Sequence, residues 1–359
     1  MMSGNTTPIR KNYLDNIRSI TIILVVIYHV AYIFNSAGVI SNIPVNGIPA
    51  IDSICYFLYP WFMCIMFLIA GISARYSLQT RSTKQFAKER VQKLILPYFG
   101  GMFLLGWLNG WVTAQYVDMF GGNAVPGFVR YLVYCMNIGP LWFLLEVFLI
   151  SMILLLILKI DKKDKLWNLA GKANVPLLIL LALPVWGSSF LLNTPVVVIF
   201  RNGIYCFMFL LGYYVFSHDI VLEKIKKIGI PLMITGIVLG CVEVWYFFGQ
   251  SFASDACLQH PLTNLYLWIM ILAILGCAQR WLNFNNLFTK YFKNRSFAIY
   301  VCHYPLLILT AFLMITYLQL PMLANYIILW FLDFSVTILF YEITSKIPVI
   351  RYLIFGIKK

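Results

Sequence analysis

The sequence predicts an all-α, polytopic integral membrane protein with about ten transmembrane helices and both termini in the cytoplasm. Two observations carry most of this. Of 359 residues, 61% are hydrophobic and only 11% charged, whereas soluble chains carry about a quarter charged residues. The few basic residues are also confined to alternate loops, the pattern that orients membrane helices.

A bilayer crossing needs about 20 apolar residues, and ten runs meet that length: 16–36, 51–74, 94–117, 138–158, 174–193, 196–216, 228–249, 262–279, 296–317 and 322–343. The first run is not read as a secretory signal, because no small-residue cleavage site follows residue 30 and many further spans come after it. Several runs contain Pro or Gly, which bundled spans tolerate when neighbours re-satisfy the backbone. The junctions near 194–196 and 318–321 are the tightest. With the N-terminus inside, 25 of the 27 Lys and Arg residues fall on the cytoplasmic side, and only Arg130 and Arg201 fall outside. That bias accounts for the net charge of +14 without nucleic acid as a partner. The outer loops, about 37–50, 118–137 and 250–261, are too short to fold separately, so residues 1–359 read as one transmembrane domain. Eight cysteines without a CxxC pair lie mostly in apolar runs and read as core residues, and no metal site is expected.

Ionisable groups inside spans are costly and mark candidate sites. In YLDNIRSITIILVVIYHV, Arg18 and His29 are eleven residues apart. At 100° per residue that is about 20° from three full turns, so both lie on one helical face with about 16 Å of rise between them. Asp15, three residues before Arg18, reads as a helix-start anion or as the partner of the guanidinium. In SFAIYVCHYPLL, Ser296, Tyr300 and His303 follow an i, i+4, i+7 pattern and share a face. In GPLWFLLEVF, Trp142 and Glu146 are one turn apart, and a carboxyl there should face the interior of the bundle. Arg201 opens the sixth run and is a candidate counter-ion for Glu146. Arg90 and Lys93, three apart at the start of the third span, could clamp the phosphates of a cytosolic donor. His218 and His260 read as solvated loop residues. Glu243 and Asp333 are intramembrane with no assigned role.

Together these stretches resemble the integral-membrane acyltransferase family 3, which includes O-acetyltransferases of envelope polysaccharides and glucan succinyltransferases. YLDNIRS with its R-x10-H spacing, FAKERVQKLILPYF, GPLWFLLEVF and SFAIYVCHYPL carry the resemblance. One departure is that Lys93 stands where the family's RxxR element has its second arginine. The resemblance implies a stand-alone membrane transferase in a bacterial plasma membrane. Its donor would be cytosolic acetyl-CoA or another acyl-CoA, held by Arg18, Arg90 and Lys93. His29 would act as base or covalent relay, with Glu146 and His303 orienting or protonating. The acceptor would be a hydroxyl of a glycan or glycolipid reached from the outer side. The competing reading is a transporter or flippase of an envelope glycan or lipid, which could use the same polar core as a pathway. The cationic mouth on the same face as His29 favours the transferase.

Overall fold

The computed structural model describes residues 11–193 and 201–358, and these are helical with no strand. Among the described residues, eight helices are long and apolar enough to cross a membrane. They are α1 (Asn12–Ile33), α2 (Pro49–Thr80), α3 (Thr83–Thr113), α5 (Gly139–Ile160), α8 (Asp219–Phe247), α9 (Pro261–Trp281), α10 (Leu287–Leu318) and α11 (Met322–Thr344). Shorter helices complete the bundle: α4 (Gly127–Cys135), α6 (Val175–Ser188), α7 (Asn202–Tyr214) and α12 (Pro348–Phe355).

Two expected crossings are therefore shorter than the apolar runs implied. The run 174–193 contains α6, in which the helix is interrupted at Leu181. The run 196–216 contains α7, 13 residues long. At 1.5 Å per residue α7 covers about 20 Å, less than a hydrocarbon core of about 30 Å. The expected junction between these runs, near 194–196, lies outside the described residues. Two of the expected connecting loops also hold helix: α4 lies within 118–137, and Asp255–Leu258 within 250–261.

Helices α2 and α9 are the interior of the bundle, with 78% of their apolar windows buried, whereas α8 and α11 reach only 28% and face outward. Helix α1 sits centrally, against α2, α9, α10 and α11. The tightest crossing is between α2 and α7. A Cβ on Gly71 would lie 1.9 Å from the Phe209 carbonyl oxygen, and one on Gly212 would lie 2.0 Å from that of Leu68. Paired glycines let the two backbones touch, the close packing on which membrane helices rely.

Three π-helical turns interrupt the long helices: Val91–Ile95 and Met102–Gly106 in α3, and Met314–Leu318 at the end of α10. Such turns often mark functional positions, because the extra residue changes which side chains share a face. The first one follows directly after Arg90. The two histidines expected in solvated loops are both half-buried. His218 stacks on Trp167 with ring centroids 3.8 Å apart, and His260 lies 5.3 Å from both Tyr246 and Phe247.

Candidate functional site

A cavity of about 490 Å³ opens at the end of the bundle where α1 finishes. Its walls come from α1, the loop after it, α2, α5, α7, the 251–253 loop and α10. The walls are strongly aromatic: Tyr28, Tyr32, Tyr59, Phe62, Trp142, Tyr205, Phe252, Tyr300 and Tyr304 all contribute, and His29 lines the cavity among them. Trp142, which alone could be an interfacial belt residue, instead stacks on Tyr205 with centroids 5.5 Å apart.

Helices α1 and α10 bring His29 and His303 together. Nε2 of His303 lies 3.2 Å from Nδ1 of His29. The surrounding carbonyls fix where the protons sit. Nδ1 of His303 is 3.0 and 2.9 Å from the carbonyl oxygens of Ile299 and Tyr300. A carbonyl can only accept, so this nitrogen carries the hydrogen, and in the neutral ring Nε2 is left with its lone pair. Nδ1 of His29 is 2.8 Å from the Val25 carbonyl oxygen, so it too is protonated. Its single N–H is shared between Val25 and the lone pair of His303. The consequence is an unprotonated Nε2 on His29, a base on a ring that lines the cavity.

Other contacts hold this pair in place. Tyr300 donates its hydroxyl to the Pro140 carbonyl, joining α10 to the start of α5. The Tyr304 ring packs edge-on to His29, 4.9 Å between centroids. Its hydroxyl donates to Asn42 at 2.5 Å, and Asn42 in turn donates to Thr113 at 2.8 Å. Gly139 makes this arrangement fit. It adopts φ +50°, and a Cβ there would stand 2.5 Å from the Tyr304 ring. Gly139→Ala is therefore expected to cost at least about 1–2 kcal/mol of stability from the left-handed backbone alone. By displacing Tyr304 it should also lower turnover about tenfold or more, readable by thermal unfolding alongside an activity assay.

A cationic cluster forms at the opposite end of α1. Asp15 lies 3.5 Å from Arg18 and 3.1 Å from Lys293 of α10, so one carboxylate ties two cations. Arg18 also donates to Ser73 of α2 at 3.2 Å. Arg90 packs 4.6 Å from the Phe86 ring and is close enough to Arg18 and Arg81 for like-charge interaction. Lys93 is exposed within the π turn after Arg90, so the two do not keep the simple i, i+3 facing of an α-helix. Lys293 was not singled out by motif, because in sequence it is one of several cations in a basic loop.

The remaining expected site residues lie apart from the histidine pair. Glu146 is 4% exposed and finds no hydrogen-bond partner among the described residues; it does not line the cavity. Ser296 is buried and donates to the Lys293 carbonyl at 3.3 Å, within its own helix. Arg201 lines the cavity but forms no ion pair with Glu146 among the described residues. It donates to the carbonyls of Tyr59 and Pro60 instead, at 3.4 and 3.2 Å. Glu243 accepts from Thr263 at 2.7 Å and Asp333 from Thr337 at 3.2 Å. Among the described residues, no group of acidic, histidine and cysteine side chains could hold a metal.

Comparison with known proteins gives this geometry its context. The sequence model of the family described as "Acyltransferase domain" matches residues 11–342. The chain belongs to this family. The acyltransferase is also similar to proteins named "Glucans biosynthesis protein C" from Escherichia coli O139:H28 (strain E24377A / ETEC) and from Shigella boydii serotype 4 (strain Sb227). Identity to each is 24% over 389 residues, covering 98% of this chain and 96% of the relative. No solved structure matches it. Family membership decides for a membrane acyltransferase over the flippase reading.

Proposed function

We propose that this acyltransferase moves an acyl group from a cytosolic acyl-CoA, of which acetyl-CoA is the simplest, to a hydroxyl of a glycan or glycolipid at the outer face of a bacterial plasma membrane. The whole chain acts as one transmembrane domain. The observation that carries the proposal is the His29 ring on a cavity wall, its Nδ1 held by the Val25 carbonyl and His303, with cations gathered at the other end of the same helix.

In this reading the cationic end faces the cytoplasm, as the basic loops suggest. Arg18, Arg90, Lys93 and Lys293 hold the phosphates of the donor. Asp15 orients Arg18 and Lys293, and the thioester arm extends along α1 toward His29. An acceptor sugar enters the aromatic cavity, whose ring faces suit the apolar faces of a pyranose. His29 Nε2 takes the proton of the acceptor hydroxyl as its oxygen bonds to the thioester carbonyl carbon. The carbon–sulfur bond then breaks, and the thiolate recovers the proton from the imidazolium. While charged, His29 keeps Nδ1–H donated to Val25 and His303, so two acceptors stabilise the cation.

The reading is tested by supplying labelled acetyl-CoA to the cytoplasmic face of membrane vesicles and following label into glucan. Arg18→Ala should raise KM for the donor about 10- to 100-fold, the range for losing one charge-assisted phosphate contact, with a smaller change in kcat. Unchanged donor KM in Arg18→Ala would remove the cationic end from donor binding.

A further inference from the structure

One cation in the cavity has no part in proton transfer at His29. Arg201 begins α7 and is only 3% exposed. Its Nη1 is engaged by the Tyr59 and Pro60 carbonyls, at the turn that interrupts α2. Its Nη2 is buried and makes no hydrogen bond within 3.5 Å among the described residues, the guanidinium keeping only a weak contact with the Tyr205 side chain. Tyr59 and Tyr205 flank the guanidinium, with ring centroids 5.8 and 5.7 Å away. Glu243 is close enough to act on Arg201 electrostatically, but it is held by Thr263 and Cys257 and forms no ion pair with it. Among the described residues lining the cavity, Arg201 is the one formally charged side chain, and no carboxylate lines it.

A guanidinium with an unused N–H on a cavity wall is built to receive an oxygen anion from whatever fills the cavity. His29 and Arg201 line the same cavity. Tyr28 lies 5.1 Å from the His29 ring and 5.8 Å from the Tyr59 ring, and Tyr59 then adjoins Arg201. Tyr28 and Tyr59 therefore connect the wall at His29 to Arg201, so one bound substrate can touch both.

We propose that Arg201 makes this cavity a carboxylate-reading subsite, selecting a substrate that carries a carboxylate. The proposal rests on the acyl-transfer reading above. The carboxylate has two possible carriers with the same chemistry: the far end of a dicarboxylic acyl group, or an acidic sugar of the acceptor.

Binding tests the subsite without requiring turnover. Intrinsic tryptophan fluorescence of the purified full chain, to which the cavity-lining Trp142 contributes, would be titrated with monomethyl succinate against methyl butyrate, and with glucuronic acid against glucose. Wild type should bind at least one anionic member about tenfold or more tightly than its neutral counterpart. In Arg201→Gln that ratio should fall toward one, and Arg201→Lys should restore part of it. Transfer then separates the carriers. A preference for succinyl-CoA over butyryl-CoA on a neutral glucan that depends on Arg201 assigns the carboxylate to the acyl group. An Arg201-dependent preference for an acidic acceptor with acetyl-CoA assigns it to the glycan. Equal wild-type affinity for anionic and neutral probes would overturn the proposal. So would equal losses for both in Arg201→Gln, the result of a merely structural role. Anion preference without any acyl transfer would instead refute the acylation reading and leave the subsite standing.

Discussion

His29→Ala is expected to lower acyl transfer by about 10³-fold or more, within the range general acid–base catalysis supplies, while donor KM changes less than about threefold. The separation follows from geometry. Arg18 and His29 sit about 16 Å apart on one helix, so removing the imidazole takes nothing from the cationic end. His29→Gln should be as inactive as the alanine variant. It keeps polarity and most of the volume, but an amide is not a base at neutral pH. Initial rates across a donor series with each variant would measure both effects. Transfer by His29→Gln within tenfold of wild type would show that Nε2 is not the proton acceptor.

Eight of the ten expected spans, among the described residues, and the placing of Arg18 and His29 on one face were legible in the sequence because each depends on one helix alone. Hydropathy locates the crossings, and the eleven-residue spacing puts Arg18 and His29 on one face. The i, i+4, i+7 spacing likewise puts Ser296, Tyr300 and His303 on one face of α10. What a single helix cannot specify is its rotation against its neighbours. The contact between His29 and His303 joins residues 274 apart and depends on how α1 and α10 pack. The Tyr304–Asn42 bond likewise depends on where a loop folds back, and the Arg201–Tyr59 contact on how the start of α7 packs beside the turn in α2. Spacing also failed where helix geometry changes. Arg90 and Lys93 straddle the entry to a π turn, where a rule built on 3.6 residues per turn no longer holds. Glu146 shows a third limit. Its one-turn offset from Trp142 predicted an inward-facing carboxyl, and it is buried, but the cavity wall stops at Trp142.

His303 should prove to be a positioning residue, and its substitutions separate that role from a structural one. It is fully buried, and its lone pair receives the N–H of His29, which holds the His29 ring with Nε2 unprotonated. His303→Leu fills much of the space but offers no acceptor. The expected result is a fall in kcat of about 10²-fold, by analogy with the loss of other groups that orient a catalytic histidine, with little change in KM for either substrate. His303→Gln places an amide oxygen near the former Nε2, where it can accept from His29, and should recover about tenfold over leucine. A packing role alone predicts the opposite order, because leucine burial suits this apolar interior better than an extra amide. If leucine equals or exceeds glutamine in kcat while both variants fold, His303 does not orient His29, and the tautomer of the base must be set by the Val25 carbonyl alone.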